Sequence, residues 1–344
     1  MLRFFSKTRF KLAAENRVGK YLRYAIGEIL LVVIGILIAL QVNNWNTEQK
    51  NKAEFVKTIE ALTLDLHENI RNANHIIRME YQRDSLMTLV RNKNVTREMY
   101  RNHSELRRLI IGFQFYSLIR DNLLAAIEFE NNIPNSYRPL LPYLKQMIAL
   151  IDRWDNSYHA AVENIINYDR WRADNFYWYS QEDSIATESE IDYLLNDPIY
   201  QNKVKVFKTG YLDNNIFNIT LIRNYSVLIL LQIAGIEGKQ AETDTDEMIQ
   251  QYGLEPYEAI IDSAFYPAKQ KINFRVSHLW YNASNQSIKV LEINQDRERG
   301  NSFTLSPGKH RLTTLNDGEL VEVVYENGNT KVFRSVVDGY LLIE

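Results

Sequence analysis

One apolar run sets the frame in which the rest of this chain must fold. Ala25 to Val42 reads AIGEILLVVIGILIALQV, eighteen positions with a single charge, Glu28. At about 1.5 Å per helical residue such a run covers roughly 27 Å, close to the thickness of a hydrocarbon core. Secretory signals carry shorter apolar regions followed by a small-x-small cleavage site. Gln41, Val42, Asn43, Asn44 and Trp45 offer no such site. The run therefore reads as an uncleaved signal anchor, a transmembrane helix over residues 24–44.

Orientation follows from the flanks. Arg3, Lys7, Arg9, Lys11, Arg17, Lys20 and Arg23 precede the run against one acid, Glu15. Basic flanks stay on the cytoplasmic side. Segment 1–23 is then a basic cytoplasmic segment, and everything after about residue 45 lies in the periplasm of a bacterial inner membrane. Tyr21 and Tyr24 mark the inner interface and Trp45 the outer one, as an aromatic belt does. Bases beside a membrane meet lipid headgroups, so the partner expected for them is the bilayer and not nucleic acid.

The run carries more than a plain anchor needs. Gly27, Leu31, Gly35 and Ala39 recur every four residues, and Gly35-x-x-x-Ala39 is a small-xxx-small pair that lets helix backbones approach in lipid. Glu28 sits at the edge of this stripe, where it either serves a partner or snorkels to the cytoplasmic interface. The stripe favours a parallel homo-oligomer, most simply a dimer, with an apolar seam beyond the membrane adding to the contact.

The segment KYLRYAIGEILLVVIGILIALQVNNWN, Lys20 to Asn46, resembles the N-terminal signature of an uncharacterised single-span membrane-protein family of Bacteroidota, a domain of unknown function. The preceding FFSKTRFKL is similar to that family as well. The resemblance implies an envelope location and no activity.

Beyond the anchor the chain reads as helix. No proline occurs before Pro134 and no glycine between Gly35 and Gly112. Phe55, Ile59, Leu62, Leu66, Ile70, Ala73, Ile77 and Tyr81 recur at steps of three or four, one apolar seam on a stalk helix over about 47–90. Similar periodicity predicts helices over about 97–130, 142–175 and 196–234, an all-α up-down bundle spanning 45–236. Residues 237–264 read as a polar linker. From 265 to 344 short β-rich runs alternate with turn signals such as Pro307-Gly308 and Asn327-Gly328, which predicts a small antiparallel β-sandwich of seven strands. The fold class is thus mixed: one transmembrane helix, a helical bundle and a C-terminal all-β sandwich-like module.

Chemistry is harder to find. The chain has no cysteine, which removes disulfides, thiolate metal sites and cysteine nucleophiles. Its six histidines show no His-x-x-x-His spacing, and no phosphate loop, dinucleotide fingerprint or nucleophile elbow occurs. No catalytic, cofactor-binding or metal-binding residue is therefore expected. The sequence favours a non-catalytic interaction or sensory protein with an unknown envelope protein as partner. Tyr168, Trp171, Phe176, Tyr177, Trp178 and Tyr179 carry the alternative, a periplasmic ligand- or glycan-binding module. An unrecognised enzyme is the third reading.

Overall fold

The structure, a computed structural model, describes residues 18–112, 116–181, 186–239, 245–260, 275–293 and 299–344. The basic segment before Val18 and the side chains of Tyr21 and Tyr24 lie outside the described residues. Helix α1, Val18–Arg91, runs unbroken for 74 residues, about 110 Å. Its two halves meet different surroundings. Every residue from Ile29 to Lys50 is exposed, including the aliphatic side chains of the apolar run. From Phe55 onward the seam Phe55, Ile59, Leu62, Leu66, Ile70, Ala73 and Ile77 is at most 3% exposed. The covering comes from the chain's own helices, so this seam is not free to join an oligomer contact.

The stretch expected as one helix over 97–130 is broken. It forms α2, Arg97–Asn102, α3, Ser104–Arg107, and α4, Asp121–Glu128. His103 between the first two is extended. Ahead of α4, the Asn69 side chain on α1 accepts from Ile119 N at 2.8 Å and donates to Ile119 O at 2.7 Å. A backbone held that way by a side chain cannot also close helical hydrogen bonds. Three long helices therefore make the bundle, with α4 packed on α1 where a fourth was expected.

Helix α5, Leu141–Asn175, opens on a proline in its first turn, where the missing N–H costs nothing. Thr187 caps α6, Glu188–Asn196, and Asp197 caps α7, Pro198–Phe207. A π turn, Lys208–Leu212, joins α7 to α8, Asp213–Ile236. The span Pro198–Ile236 is apolar enough to cross a membrane, but 72% of its apolar window is buried inside the protein. It is the core helix of the body, packed against both α1 and α5.

Residues 237–264 are not a plain linker. They supply α9, Thr245–Gln250, and two short strands, β1, Glu255–Pro256, and β2, Glu258–Ile260. Ile249, Tyr252 and Leu254 join the helical core, and Asn74 on α1 donates to Tyr252 O at 2.8 Å. The chain crosses from one sheet to the other at Tyr257, whose buried ring lies in the sandwich core.

The β region continues with β3, Val276–Asn282, β4, Ile288–Ile293, β5, Arg299–Leu305, β6, His310–Leu315, β7, Leu320–Val324, β8, Thr330–Arg334, and β9, Gly339–Ile343. One sheet has the order β1-β9-β3-β6 and the other β2-β8-β7-β4-β5. The second is antiparallel throughout. In the first, β9 runs parallel to both β1 and β3, so the sandwich is not purely antiparallel. The last strand closes it by sliding between its two neighbours.

Alternation along β3 and β9 joins the two halves of the body. Leu279 and its cross-strand partner Tyr340 belong to the helical core, whereas Trp280, Leu341 and Ile343 fill the sandwich. All seven residues of β3 are buried, one face on the second sheet and the other on α8.

Candidate functional site

The densest concentration of buried polar groups runs along α1 and α8 to the start of β3 and of β9, the inner strands of the first sheet. Helix α8 is buried along much of its length, and its buried polar residues Asn215, Thr220, Arg223, Asn224 and Ser226 each need a partner there. Trp154 Nε1 on α5 donates to Asn215 Oδ1 at 2.8 Å, and Asn215 Nδ2 donates to Glu80 Oε1 on α1 at 2.9 Å. Arg83 pairs with the same Glu80 at 3.2 Å. Burial raises the Glu80 carboxyl above its usual range, against the pull of Arg83 and of hydrogen bonds from Asn215 and Tyr211. One turn further along α1, Asp84 pairs with Lys208 of the π turn, which also reaches Asp213 at 3.2 Å.

Toward the sheet lies Arg223, only 1% exposed. Its guanidinium pairs with Asp338 at 2.9 Å and donates to Asn74 Oδ1 at 3.2 Å and Asn224 Oδ1 at 3.1 Å. Tyr81 OH donates to the same Asp338 carboxylate at 3.0 Å. Asn224 Nδ2 in turn donates to Ser277 O at 2.6 Å, and Ser277 N donates to Thr220 Oγ1 at 3.1 Å. Strand β9 pairs with β3 only from Leu279 on, so α8 completes the β3 backbone where β9 has not begun. This network joins α1, α8 and the sheet. It contains no nucleophile held beside a base.

His278 lies beside this junction, fully buried in β3. Its Nε2 sits 3.3 Å from Leu315 O and its ring meets Tyr257 edge-on at 5.6 Å. Burial pulls its pKa down to about 4, opposed by the Leu315 carbonyl and Asp338. His310, on the edge strand β6, is likewise lowered to about 4 by burial and by Lys309. Its ring packs on Tyr143 of α5 at 5.4 Å. Among the described residues no three His, Asp or Glu side chains cluster as a metal ion requires.

The six aromatics singled out in the sequence are distributed unevenly. Tyr168 and Trp178 are buried, and Trp171 and Phe176 are half-buried. Phe176 stacks on Trp178 at 4.9 Å and packs on Tyr193 at 4.4 Å, and the Tyr168 and Tyr193 hydroxyls lie 2.7 Å apart. Arg172 spreads over Trp178 and Tyr179. Tyr177 alone stands free, 93% exposed. Four of the six faces are therefore used within the distal core, and a continuous stacking platform does not form.

An open cleft of about 560 Å³ lies between α1 and the end of α8, with Val56, Leu230, Ile233 and Met248 as floor and Glu60 and Glu237 at the rim. Tyr137 OH donates to Glu237 at 3.4 Å, and Lys239 pairs with Glu237 at 2.6 Å.

The residues of the apolar run are open on every side. Leu31, Gly35, Ala39 and Trp45 are exposed, and a side chain added at Gly27 or Gly35 would meet nothing within 4 Å. Glu28 is partly shielded. Ile26, Leu31, Val42 and Trp45 range from 54% to 65% exposed.

Sequence reasoning missed Arg223, Asp338, Lys208 and Asp84. A signal was present for one of them. Arg223 stands among Ile219, Leu221, Ile222 and Val227, where a charge has no place unless it is paired, whereas Lys208 follows Lys203 and Lys205 and gives no such signal.

Residues 28–106 match a family of unknown function, DUF6090. This part of the chain is thus an uncharacterised domain, opening inside the apolar run and closing within α3. No curated protein and no solved structure matches the chain.

Proposed function

We propose that this chain is a single-pass envelope protein, anchored by residues 24–44 with its N-terminus in the cytoplasm and its body in the periplasm. Its role there is interaction or sensing and not catalysis. The observation that carries the reading is the change of surroundings along α1. Its apolar run is bare on every side over the length of a bilayer core, and the same helix becomes buried from Phe55 on. Exposed apolar surface of that extent is unstable in water and at rest in lipid. The seven bases that precede the run support the orientation. Within the body, polar groups are consumed in joining helices to sheet, which is what a scaffold for partner contacts needs.

A fusion of alkaline phosphatase after Glu344 is expected to be active, since that enzyme matures only outside the cytoplasm, and a reporter restricted to the cytoplasm is expected to stay dark there. The reverse pattern would remove both topology and localisation.

Self-association belongs to the same reading. With the seam from Phe55 covered, close packing in lipid rests on Gly27, Gly35 and Ala39. Changing Gly35 to Ile should lower the crosslinked dimer in native membranes by roughly tenfold, about 1.4 kcal/mol of association energy, while insertion is unchanged. Equal dimer in the variant would show that the stripe is ordinary anchor composition.

A further inference from the structure

One face of α1 is left uncovered by its own chain both outside the apolar run and within it. Taking about 100° per residue from Leu64, Asn46 falls on the same line, Gly35, Ala39, Ala53 and Lys57 within about 20°, and Val42 and Glu60 within about 40°. All of these residues are exposed. The buried seam of Phe55, Ile59, Leu62 and Leu66 lies roughly opposite. The uncovered face therefore continues straight out of the apolar run along the side that the body leaves open.

Leu64 makes this face unusual. It is 71% exposed, an aliphatic side chain held in water on a helix whose other leucines at 62 and 66 are 1% exposed. Two charges flank the line on opposite sides, Lys57 and Glu60. In a parallel two-fold pair of α1 helices the flank of one copy faces the opposite flank of the other. Lys57 then meets the second copy's Glu60, and the same pairing repeats across the axis. Membrane insertion fixes the parallel direction, because every copy enters with the same end inside. Farther out the line loses its apolar side chains: Glu68, Arg71, His75, Arg78 and Gln82 follow Leu64 within about 40° of it, and Arg71, 77% exposed, is already paired with Glu68 of its own helix. Side chains already hydrated or paired within their own copy gain little from contact there.

Resting on the anchored reading above, we infer that the partner of this face is a second copy of the chain. The two α1 helices pair in parallel from Gly35 to Leu64, about 44 Å, and part before Arg71. Self-complementary charge selects a second copy over an unrelated helix, and Leu64 gains cover that the monomer does not give it.

The absence of cysteine makes the test direct. Single cysteines are introduced into the full chain at exposed positions, and disulfide formation is induced by oxidation in native membranes. Asn46→Cys, Ala53→Cys and Leu64→Cys are expected to crosslink at least fivefold more than Glu48→Cys and Lys52→Cys on the opposite side, and more than Arg71→Cys. Lys57→Glu should lower crosslinking at residue 53 several-fold, and Lys57→Glu with Glu60→Lys should restore it. Gly35→Cys and Ala39→Cys separate the two levels of the argument. If they crosslink while residues 46, 53 and 64 give no more than 48 and 52, pairing stops at the membrane and the extended contact is refuted, with the anchor intact. A flat profile at all positions refutes it as well, and so does a Lys57→Glu variant that crosslinks like its parent.

Discussion

Replacing Arg223 by Met should destabilise the body by about 3–5 kcal/mol, the cost of leaving one partner of a buried ion pair uncompensated. The side chain is almost fully enclosed and meets Asp338, Asn74 and Asn224 from three directions. Without it the Asp338 carboxylate keeps only the Tyr81 hydroxyl among these contacts, and two amide oxygens lose a donor. Asp338 also holds a left-handed backbone, φ 61°, at the entry to β9. The neighbouring Gly339 has no room for a side chain, since a Cβ there would stand 2.7 Å from the Tyr257 ring. A fault at Asp338 is thus transmitted to the strand that closes the first sheet. Urea unfolding of the full chain in micelles, followed by tryptophan emission, measures the effect. Trp154 reports on the helices and Trp280 on the sandwich, and both transitions should move together because Leu279 and Tyr340 belong to the helical core. Asp338→Asn added to Arg223→Met should recover part of the loss by removing the orphaned charge. A single variant within about 1 kcal/mol of its parent would mean the junction is held by apolar contacts alone.

Acid should weaken the same junction well before the carboxylates titrate out. His278 has an ordinary value of 6.5 when unfolded and about 4 when buried in the fold. Between those values the unfolded chain binds the extra proton and the folded chain does not. Stability from this group is therefore complete above about pH 6.5 and is lost as pH falls toward 4. A shift of that size is worth about 3 kcal/mol. His310 acts in the same direction with less weight, being more open to solvent. Glu80 acts oppositely: its raised folded value means that the folded form takes up its proton first, so acidification through that range adds stability. The net fall from pH 7 to pH 4.5 should be roughly 2–3 kcal/mol smaller in a His278→Gln variant. An unchanged acid slope in that variant would assign the acid sensitivity to other groups.

The parts of this fold that were legible in the sequence are those whose cause is local. The seam from Phe55 to Ile77 states a helix and its buried side without help from elsewhere, and residues 142–175 do the same through Pro142 and the periodicity behind it. Strands β4, β6, β7 and β9 are bracketed by their own turns. What was not legible depends on distant partners. The break before α4 is imposed by Asn69, fifty positions earlier in the chain. Strands β1 and β2 carry Glu255, Pro256 and Glu258, residues that read as linker until β9 and β8 pair with them. The aromatic group at 168–179 left a platform open as an alternative to core packing because sequence lists side chains without their neighbours. Tyr193 packs on Phe176 and Trp178 and takes faces it would have offered. The candidate junction was invisible for a related reason: Arg223 and Asp338 are 115 positions apart and neither lies in a motif.

Helix α1 leaves the apolar run at Val42 and ends at Arg91 without a break, a rod of about 74 Å. Membrane helices tilt by tens of degrees according to bilayer thickness and neighbours. On a rod of this length each 10° of tilt sweeps the far tip sideways by about 13 Å. On the proposed anchored reading, this geometry would convert a small change in the lipid around residues 25–42 into a large change in where the distal helices stand above the membrane. Joining two rods along their inner 44 Å would restrict that sweep to motions both copies share, and would turn a freely swinging arm into a gauge of local bilayer thickness.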